Sequence, residues 1–214
     1  MNKSNIELLK NVHFGETCVV AGLGYSVNAY KYTALFKNYV ISVNNADSEL
    51  DSVDMIYDVE KRPIVNWKHD EVDWVTLTSN STTEADYYVD KTDRLGEINY
   101  SENKITWAYS SIVGAVWLAI YMGFSDVFLV GADFCTGPSE ERYFWDRKDY
   151  VRDGWYCRDI VDKTDNNRKD KEIRRDRVIK MLENMSLDFE INRGGVMYNM
   201  SPYIKFKSMV NTPQ

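Results

Sequence analysis

Cysteine is scarce in this sequence, and its placement argues against disulfides and zinc sites. The three cysteines are Cys18, Cys135 and Cys157, an odd number spread widely along the chain. They form neither a CxxC pair nor a Cys/His cluster with the spacing of metal ligands. We therefore expect free thiols in a reducing cytoplasm and no structural metal.

Histidine and long apolar runs are also scarce. His13 precedes the first apolar run and His69 lies in the polar stretch "NWKHDE", so we expect surface residues and disfavour a Ser-His or Cys-His mechanism. No stretch reaches the roughly 18 apolar residues of a membrane-spanning helix. The first residues also lack the apolar core of a signal peptide. The sequence predicts a soluble cytoplasmic protein without a membrane span.

Positive charge is in deficit, which argues against a surface built wholly to bind nucleic acid. The formal net charge is −7. Residues 163–180 run against this balance, with eight basic and four acidic side chains and a local charge of +4. A solvated helix face with ion pairs such as Asp170 with Arg174 explains this segment. A site for donor phosphates or for a polyanionic acceptor explains it equally well.

The remaining composition is that of a folded domain. Hydrophobic residues make up 44% of the 214 residues, charged residues 28% and aromatic residues 14%. This length suits one domain spanning residues 1–214, with room for an insertion. Residues 137–170 are dense in charge and aromatics without a steady period. They predict an irregular lid or acceptor-binding insertion.

An alternation of strands and helices predicts the fold class. Buried strands are predicted in the stretches "TCVVAGLG", "YVISVNNAD", "SVDMIYDVE" and "VDWVTLTSN". The strongest helix is "SSIVGAVWLAIYMG", which Ser110 or Ser111 can cap and Gly123 can end. The strand "DVFLVGADF" follows at once. The pattern indicates an α/β fold, a Rossmann-like and mainly parallel sheet with helices on both faces.

Other segments give weaker signals. Residues 3–12 have the spacing of a short helix with Ile6, Leu8 and Leu9 on its apolar face, and a helix is predicted over "VNAYKYTALF". A later helix is predicted over residues 171–185. Its apolar positions are Ile173, Val178, Met181, Leu182 and Met185. The run "LDFEINRGGVMYNMSPYIKF" then predicts a strand, a Gly-Gly turn and a second short segment.

Gly22 and Gly24 end the first buried strand and precede a predicted helix. Such a turn places backbone N–H groups at the positive end of the helix, where a phosphate can bind. The third glycine of the dinucleotide fingerprint is missing, because Tyr25, Ser26 and Val27 follow Gly24. A tight turn without a ligand explains a Gly-x-Gly pair just as often.

Polar residues follow three of the predicted strands. Asn44 and Asn45 follow "VISV", Asp58 follows "DMIY" and Asp133 follows "FLVGA". In a parallel sheet these positions border the ligand crevice at the carboxyl ends of the strands. Each residue alone is explained as a loop residue that caps a neighbouring helix. Together with the glycines, they predict one nucleotide site.

Several motifs resemble, in order, those of a known family. The stretches "CVVAGLGYS", "VISVNN", "SSIVGAVWLAIYMGFSDVFLVGADF" and "YNMSP" are similar to motifs of the bacterial lipooligosaccharide sialyltransferases and of the related 6-hydroxymethylpterin diphosphokinase-like domains. The resemblance covers most of the chain and is most specific over residues 110–134. It implies a Rossmann-like fold of the glycosyltransferase A type that binds a nucleotide-sugar donor and needs no cofactor.

The resemblance also implies residue roles. The positions matched to nucleotide binding are Gly22, Gly24, Ser26, Asn44, Ser111, Gly131, Asp133 and Phe134. Tyr143 matches a tyrosine that assists departure of the phosphate. Asp58 stands where the family has an asparagine that touches the donor, and Leu23, Tyr25 and Cys135 also depart from the pattern. We include Asp58 among the nucleotide-binding candidates.

The family's general base is a lid histidine, and this sequence has none there. The lid carboxylates left for that role are Asp146, Asp149 and Asp165. We take Tyr143, Asp165 and Asp133 as the catalytic candidates.

Three functions follow as hypotheses. The first is transfer of a sugar from a nucleotide donor to an acceptor hydroxyl on a glycan, a small molecule or a modified nucleobase in phage-type DNA. The second is diphosphokinase-like phosphoryl transfer with Mg²⁺ held between Asp58 and Asp133. The third is nucleotide binding without chemistry. Formation of a homo-oligomer stays open.

Overall fold

The fold is built on one continuous parallel sheet. The computed structural model describes residues 4–58, 72–77, 85–91, 98–100, 104–106, 110–133 and 165–211. The strands are β1 (Ser4–Asn5), β2 (Thr17–Ala21), β3 (Tyr39–Val43), β4 (Met55–Asp58), β5 (Asp73–Leu77), β6 (Tyr87–Lys91), β7 (Lys104–Ile105), β8 (Asp126–Val130), β9 (Val196–Asn199) and β10 (Val210–Asn211). The helices are α1 (Val27–Tyr30), α2 (Ser111–Met122) and α3 (Asp165–Arg193), with 3-10 turns at Ile6–Leu9, Ala34–Lys37 and Asn44–Glu49.

The order of the strands places a switch point between β2 and β8. The sheet runs β1-β6-β5-β4-β3-β2-β8-β9-β10, with β7 beside β6, and every pairing among the described residues is parallel. The chain moves outward from β2 to β6, then crosses through α2 to β8 on the other side of β2. This confirms the predicted α/β, Rossmann-like class.

The two faces of the sheet are covered differently, as the alternation of strand side chains requires. One face packs Val20, Ile41 and Met55 against α2 and α3. The other packs Val19, Val40 and Ile56 beneath α1 and the 3-10 turns at Ala34–Lys37 and Asn44–Glu49. The long helices therefore lie on one side, and the predicted cover on the second side consists of short elements.

Helix α2 is the centre of the core. Every residue from Ile112 to Met122 is buried, as expected for a helix that is apolar on all sides. The predicted stop at Gly123 is confirmed, because Gly123 is left-handed with φ 95° at the C-cap. Within the described ranges, no helix has both the length and the apolarity needed to cross a membrane.

Two predictions near the N-terminus were wrong. Residues 3–12 do not form one helix, since β1 is followed by a single 3-10 turn in which Ile6 and Leu9 are buried and Leu8 is 66% exposed. The helix predicted over residues 27–36 is divided into the four-residue α1 and a 3-10 turn. Short elements of this kind carry little helix dipole.

Helix α3 is longer than predicted at both ends. Val178, Met181, Leu182 and Met185 are buried as predicted, and Phe189 continues the same face, but Ile173 is 50% exposed. The strand predicted after residue 185 is therefore wrong, because residues 186–193 are helical. The Gly-Gly pair follows the helix instead of joining two strands, with Gly194 at φ 66°.

The predicted lid lies mostly outside the described residues. Residues 134–164 are not described, and these include Phe134 and Tyr143. Helix α3 begins at Asp165, so the last residues of the predicted insertion are helical, and the insertion itself stays a prediction. The side chains of Asp165, Asp170 and Arg174 are not described, so the proposed Asp170–Arg174 pair stays a prediction.

His13 is not the simple surface residue predicted from its position. Its ring stacks on Phe124, with 4.7 Å between the ring centroids, and lies 4.4 Å from the ring of Tyr39. Its Nδ1 is 3.0 Å from Glu16 Oε2. His13 closes the amino-end edge of the sheet, far from the predicted crevice. His69 lies outside the described residues.

Candidate functional site

The glycine turn after β2 packs directly on the turn after β8. Gly22 N donates to Val130 O at 2.7 Å, and Gly24 N donates to Gly131 O at 2.8 Å. A Cβ on Gly24 would lie 2.5 Å from Asp133 Oδ2 and 2.6 Å from Gly131 O. Only glycine fits here, because the two turns approach too closely for any side chain.

Asp133 and Ser26 lock these two turns together. Asp133 Oδ2 accepts from Ser26 N, and Oδ1 accepts from Ser26 Oγ, each at 2.7 Å. Ser26 Oγ in turn accepts from Gly131 N at 3.0 Å. Both side chains are buried, and bonds to an ionised carboxylate are the stronger kind. Asp133 thus holds the turn in place, and its catalytic role stays a prediction.

These bonds leave few donors for a phosphate at the glycine turn. The N–H groups of Gly22, Gly24 and Ser26 all point to protein acceptors. The helix that follows has only four residues, so its dipole adds little. The predicted nucleotide contacts of Gly22, Gly24, Ser26 and Gly131 stay predictions. The geometry gives these residues a structural role that the sequence pattern did not reveal.

A better candidate for an anion site is the start of α2, which has twelve residues. In a parallel sheet, the helix preceding a strand begins at the carboxyl edge, so Ser111 lies at the same edge as the end of β3. Asn44 Nδ2 donates to Ser111 Oγ at 3.2 Å. Ser111 therefore accepts one bond and keeps its own proton to donate. The first N–H groups of a helix lack i−4 partners, although that of Val113 donates to Ser110 O at 3.2 Å.

Asn44 has two unusual properties. It is left-handed, with φ 57°, a conformation that asparagine tolerates better than most residues. It is also only 7% exposed, yet its Oδ1 has no hydrogen-bond partner among the described residues. An unpaired buried polar atom costs free energy, and a bound donor group would remove that cost. Asn44 is thus the predicted site residue whose geometry most favours a ligand.

Tyr57 is a site residue that the sequence analysis missed. Val43 pairs with Tyr57 across β3 and β4, so Tyr57 lies beside the strand that ends at Asn44. Its hydroxyl occupies the space that a side chain at Gly114 would need, in the first turn of α2. Burial raises the pKa of Tyr57, and the nearby Asp58 charge adds to this, so the phenol stays protonated. The sequence feature that could have indicated this contact is Gly114, a glycine within an otherwise apolar helix, which often marks close packing by another group.

Asp58 lies in the same region but far from Asp133. It is buried at the end of β4, and its carbonyl oxygen accepts from Thr76 Oγ1 at 2.6 Å. Strands β4 and β8 are three positions apart in the sheet, on the order of 14 Å at about 4.8 Å per strand.

Both Asp133 oxygens already accept hydrogen bonds from Ser26, which does not favour a magnesium ion shared with Asp58; that hypothesis stays a prediction. The described residues also contain no cluster of three or more potential metal ligands.

The structure brings the predicted residues together in two groups. Asn44 contacts Ser111, and a second set packs around the glycine turn: Gly22, Gly24, Ser26, Gly131 and Asp133. Asp58 belongs to neither group. Comparison with known proteins adds no further assignment, because no family model and no curated protein match this chain.

Proposed function

We propose that this chain is a nucleotide-sugar-dependent glycosyltransferase whose donor binds at the start of α2. The observation that carries the proposal is the buried Asn44 side chain, which contacts Ser111 and leaves Oδ1 without a partner among the described residues. The site combines an acceptor atom with the positive end of a helix. A nucleotide offers the matching groups, a hydroxyl or amine donor and a phosphate anion.

Each described residue has a distinct task in this proposal. The Ser111 hydroxyl and the first N–H groups of α2 bind the phosphates and stabilise negative charge on the leaving nucleotide. Asn44 Oδ1 accepts from the nucleoside. Asp133 and Ser26 act indirectly, because their hydrogen bonds hold the glycine turn that borders the site.

The chemical steps of sugar transfer are assigned to two residues whose side chains are not described in the structure. Tyr143 would assist phosphate departure, and Asp165 would deprotonate the acceptor hydroxyl. The acceptor is a glycan, a small molecule or a modified nucleobase in DNA.

Sugar transfer has better support than diphosphokinase chemistry. Phosphoryl transfer of that kind needs Mg²⁺, whereas both Asp133 oxygens accept hydrogen bonds from Ser26, and Asp58 ends a strand three positions from β8. A transferase of the proposed kind stabilises its leaving group with the helix terminus and side chains. Its activity is therefore expected to survive EDTA.

The experiment is a turnover screen with mass-spectrometric detection. The protein is incubated with nucleotide sugars and candidate acceptors, with and without EDTA. We expect release of the nucleotide from one donor and a glycosylated acceptor in both conditions. Activity lost in EDTA with a pyrophosphorylated product would support the diphosphokinase alternative instead. Tight nucleotide binding without any turnover would support the non-catalytic alternative.

A further inference from the structure

The side of helix α3 that faces away from the sheet carries a regular stripe of exposed residues. Its members follow one another at intervals of four and three residues, which places them on one face of the helix. They are Ile173, Arg177, Lys180, Asn184, Leu187 and Ile191. The buried residues Val178, Leu182, Met185 and Phe189 lie on the opposite face. We call the exposed set the outer stripe.

The two ends of the outer stripe are apolar. Ile173 and Leu187 are each 50% exposed, and Ile191 is 69% exposed. Apolar residues that repeat with alternating steps of three and four are typical of a helix that packs along another helix. Asn184 interrupts this apolar pattern, and a single asparagine at such a position can fix the register of a helix pair.

Formal charge changes sign along the outer stripe. Residues 173–181 contain four basic and one acidic side chain, whereas residues 183–191 contain three acidic side chains and no basic one. The first half is therefore strongly positive and the second strongly negative. The helix dipole favours the reverse order, with acids toward the start and bases toward the end. The stability of α3 alone does not explain this arrangement.

We propose that α3 packs antiparallel against α3 of a second copy of this chain. A two-fold axis opposite residue 182 superimposes the outer stripe on itself, as a symmetric dimer requires. Three contacts then repeat twice: Ile173 with the partner's Ile191, Arg177 with the partner's Leu187, and Lys180 with the partner's Asn184. The basic half of each helix lies beside the acidic half of the other, so the two surfaces are complementary in charge.

Two charge pairs flank this contact. Arg177 comes next to the partner's Asp188 on one side of the stripe, and Lys180 comes next to the partner's Glu183 on the other. Neither Arg177 nor Lys180 forms an ion pair with another described residue. Both carboxylates accept one hydrogen bond within their own chain, at 2.9 Å for Glu183 and 2.7 Å for Asp188. Each keeps further lone pairs for a cation.

The first test is the oligomeric state, measured by sedimentation equilibrium over a range of concentrations. We expect a dimer for the unmodified chain. Ile191→Glu and Arg177→Glu should each weaken it by at least about tenfold, because the first places a charge in an apolar contact and the second places like charges together. Leu8→Glu is the matched control, because Leu8 is 66% exposed and lies outside α3. It should leave the dimer intact.

A disulfide between the two copies tests the antiparallel arrangement directly. In the double variant Ile173→Cys with Ile191→Cys, mild oxidation should join position 173 of one copy to position 191 of the other, and peptide mass spectrometry identifies the link. Each single variant should form no link between equivalent positions, which antiparallel packing holds about 27 Å apart at 1.5 Å per residue.

Circular dichroism checks that each variant is folded. A monomer at every concentration, a dimer that neither Ile191→Glu nor Arg177→Glu weakens, or a link between equivalent positions in a single variant would overturn the proposal.

Discussion

At the scale of single residues, close packing determines where glycine is required. Gly24 faces the backbone oxygen of Gly131 and the Asp133 carboxylate, and neither can move without breaking the bonds to Ser26. Gly24→Ala is therefore expected to reduce the free energy of unfolding by about 2 kcal/mol or more.

Gly15→Ala is the control for this substitution. Gly15 has φ 82° with nothing within 4 Å of an added Cβ, so its cost is the backbone strain alone, about 1 kcal/mol. Urea denaturation measures both variants. Equal losses would contradict close packing at Gly24.

Asp73 offers a test of electrostatics at the amino edge of the sheet. Partial desolvation raises the pKa of Asp73, although the residue is exposed, and repulsion by Asp86 adds to the shift. A carboxyl with a raised pKa in the folded state favours folding only while protonated, so its effect on stability becomes unfavourable as the pH rises above about 4. Asp73→Asn should therefore stabilise the protein at pH 8 and lose this advantage near pH 4.

The measurement is the urea midpoint of Asp73→Asn and of the unmodified chain at both pH values. Asp51→Asn, at another exposed aspartate near β4, is the control for the general loss of one negative charge. A constant difference between Asp73→Asn and the unmodified chain across this range would contradict the assigned pKa shift.

At the scale of elements, α3 gives the clearest test of which helix face packs against the sheet. Leu182 is wholly buried, while Leu187 is half exposed. Leu182→Ala should cost about 3 kcal/mol, and Leu187→Ala about 0.5 kcal/mol. Chemical denaturation at low protein concentration compares them. Similar costs would mean that the helix presents a different face to the sheet.

The regular elements were predictable where one pattern dominates. Strands β2, β3, β4, β5 and β8 and helix α2 all lie within their predicted segments, because short branched runs and an apolar helix leave little ambiguity. The end of α3 was missed because "LDFEI" alternates as a strand does, while Phe189 also continues the helical face. Strand β6 was missed because "YYVDK" has a single buried residue, Val89.

At the scale of the whole molecule, the α/β class and the ligand edge of the sheet were predictable from the alternation of strands and helices. The sequence did not predict which residues at that edge bond to the protein itself and which are left to contact a ligand. Gly22, Gly24 and Ser26 form their hydrogen bonds with the end of β8 and the turn after it, more than 100 residues away in the chain. Likewise, Tyr57 reaches α2 only through tertiary packing. Sequence motifs identify such residues without showing whether they bind a ligand or the protein itself.

The central claim is that a nucleotide binds at the start of α2 through Asn44. Calorimetry against a panel of nucleotides and nucleotide sugars tests it with two matched variants. Asn44→Gly removes the side chain and suits the left-handed backbone, and Asn11→Gly does the same at an exposed asparagine with φ 58°. We predict measurable binding that falls at least about tenfold in Asn44→Gly and is unchanged in Asn11→Gly. No binding to any nucleotide, or equal affinity in all three proteins, would contradict the claim.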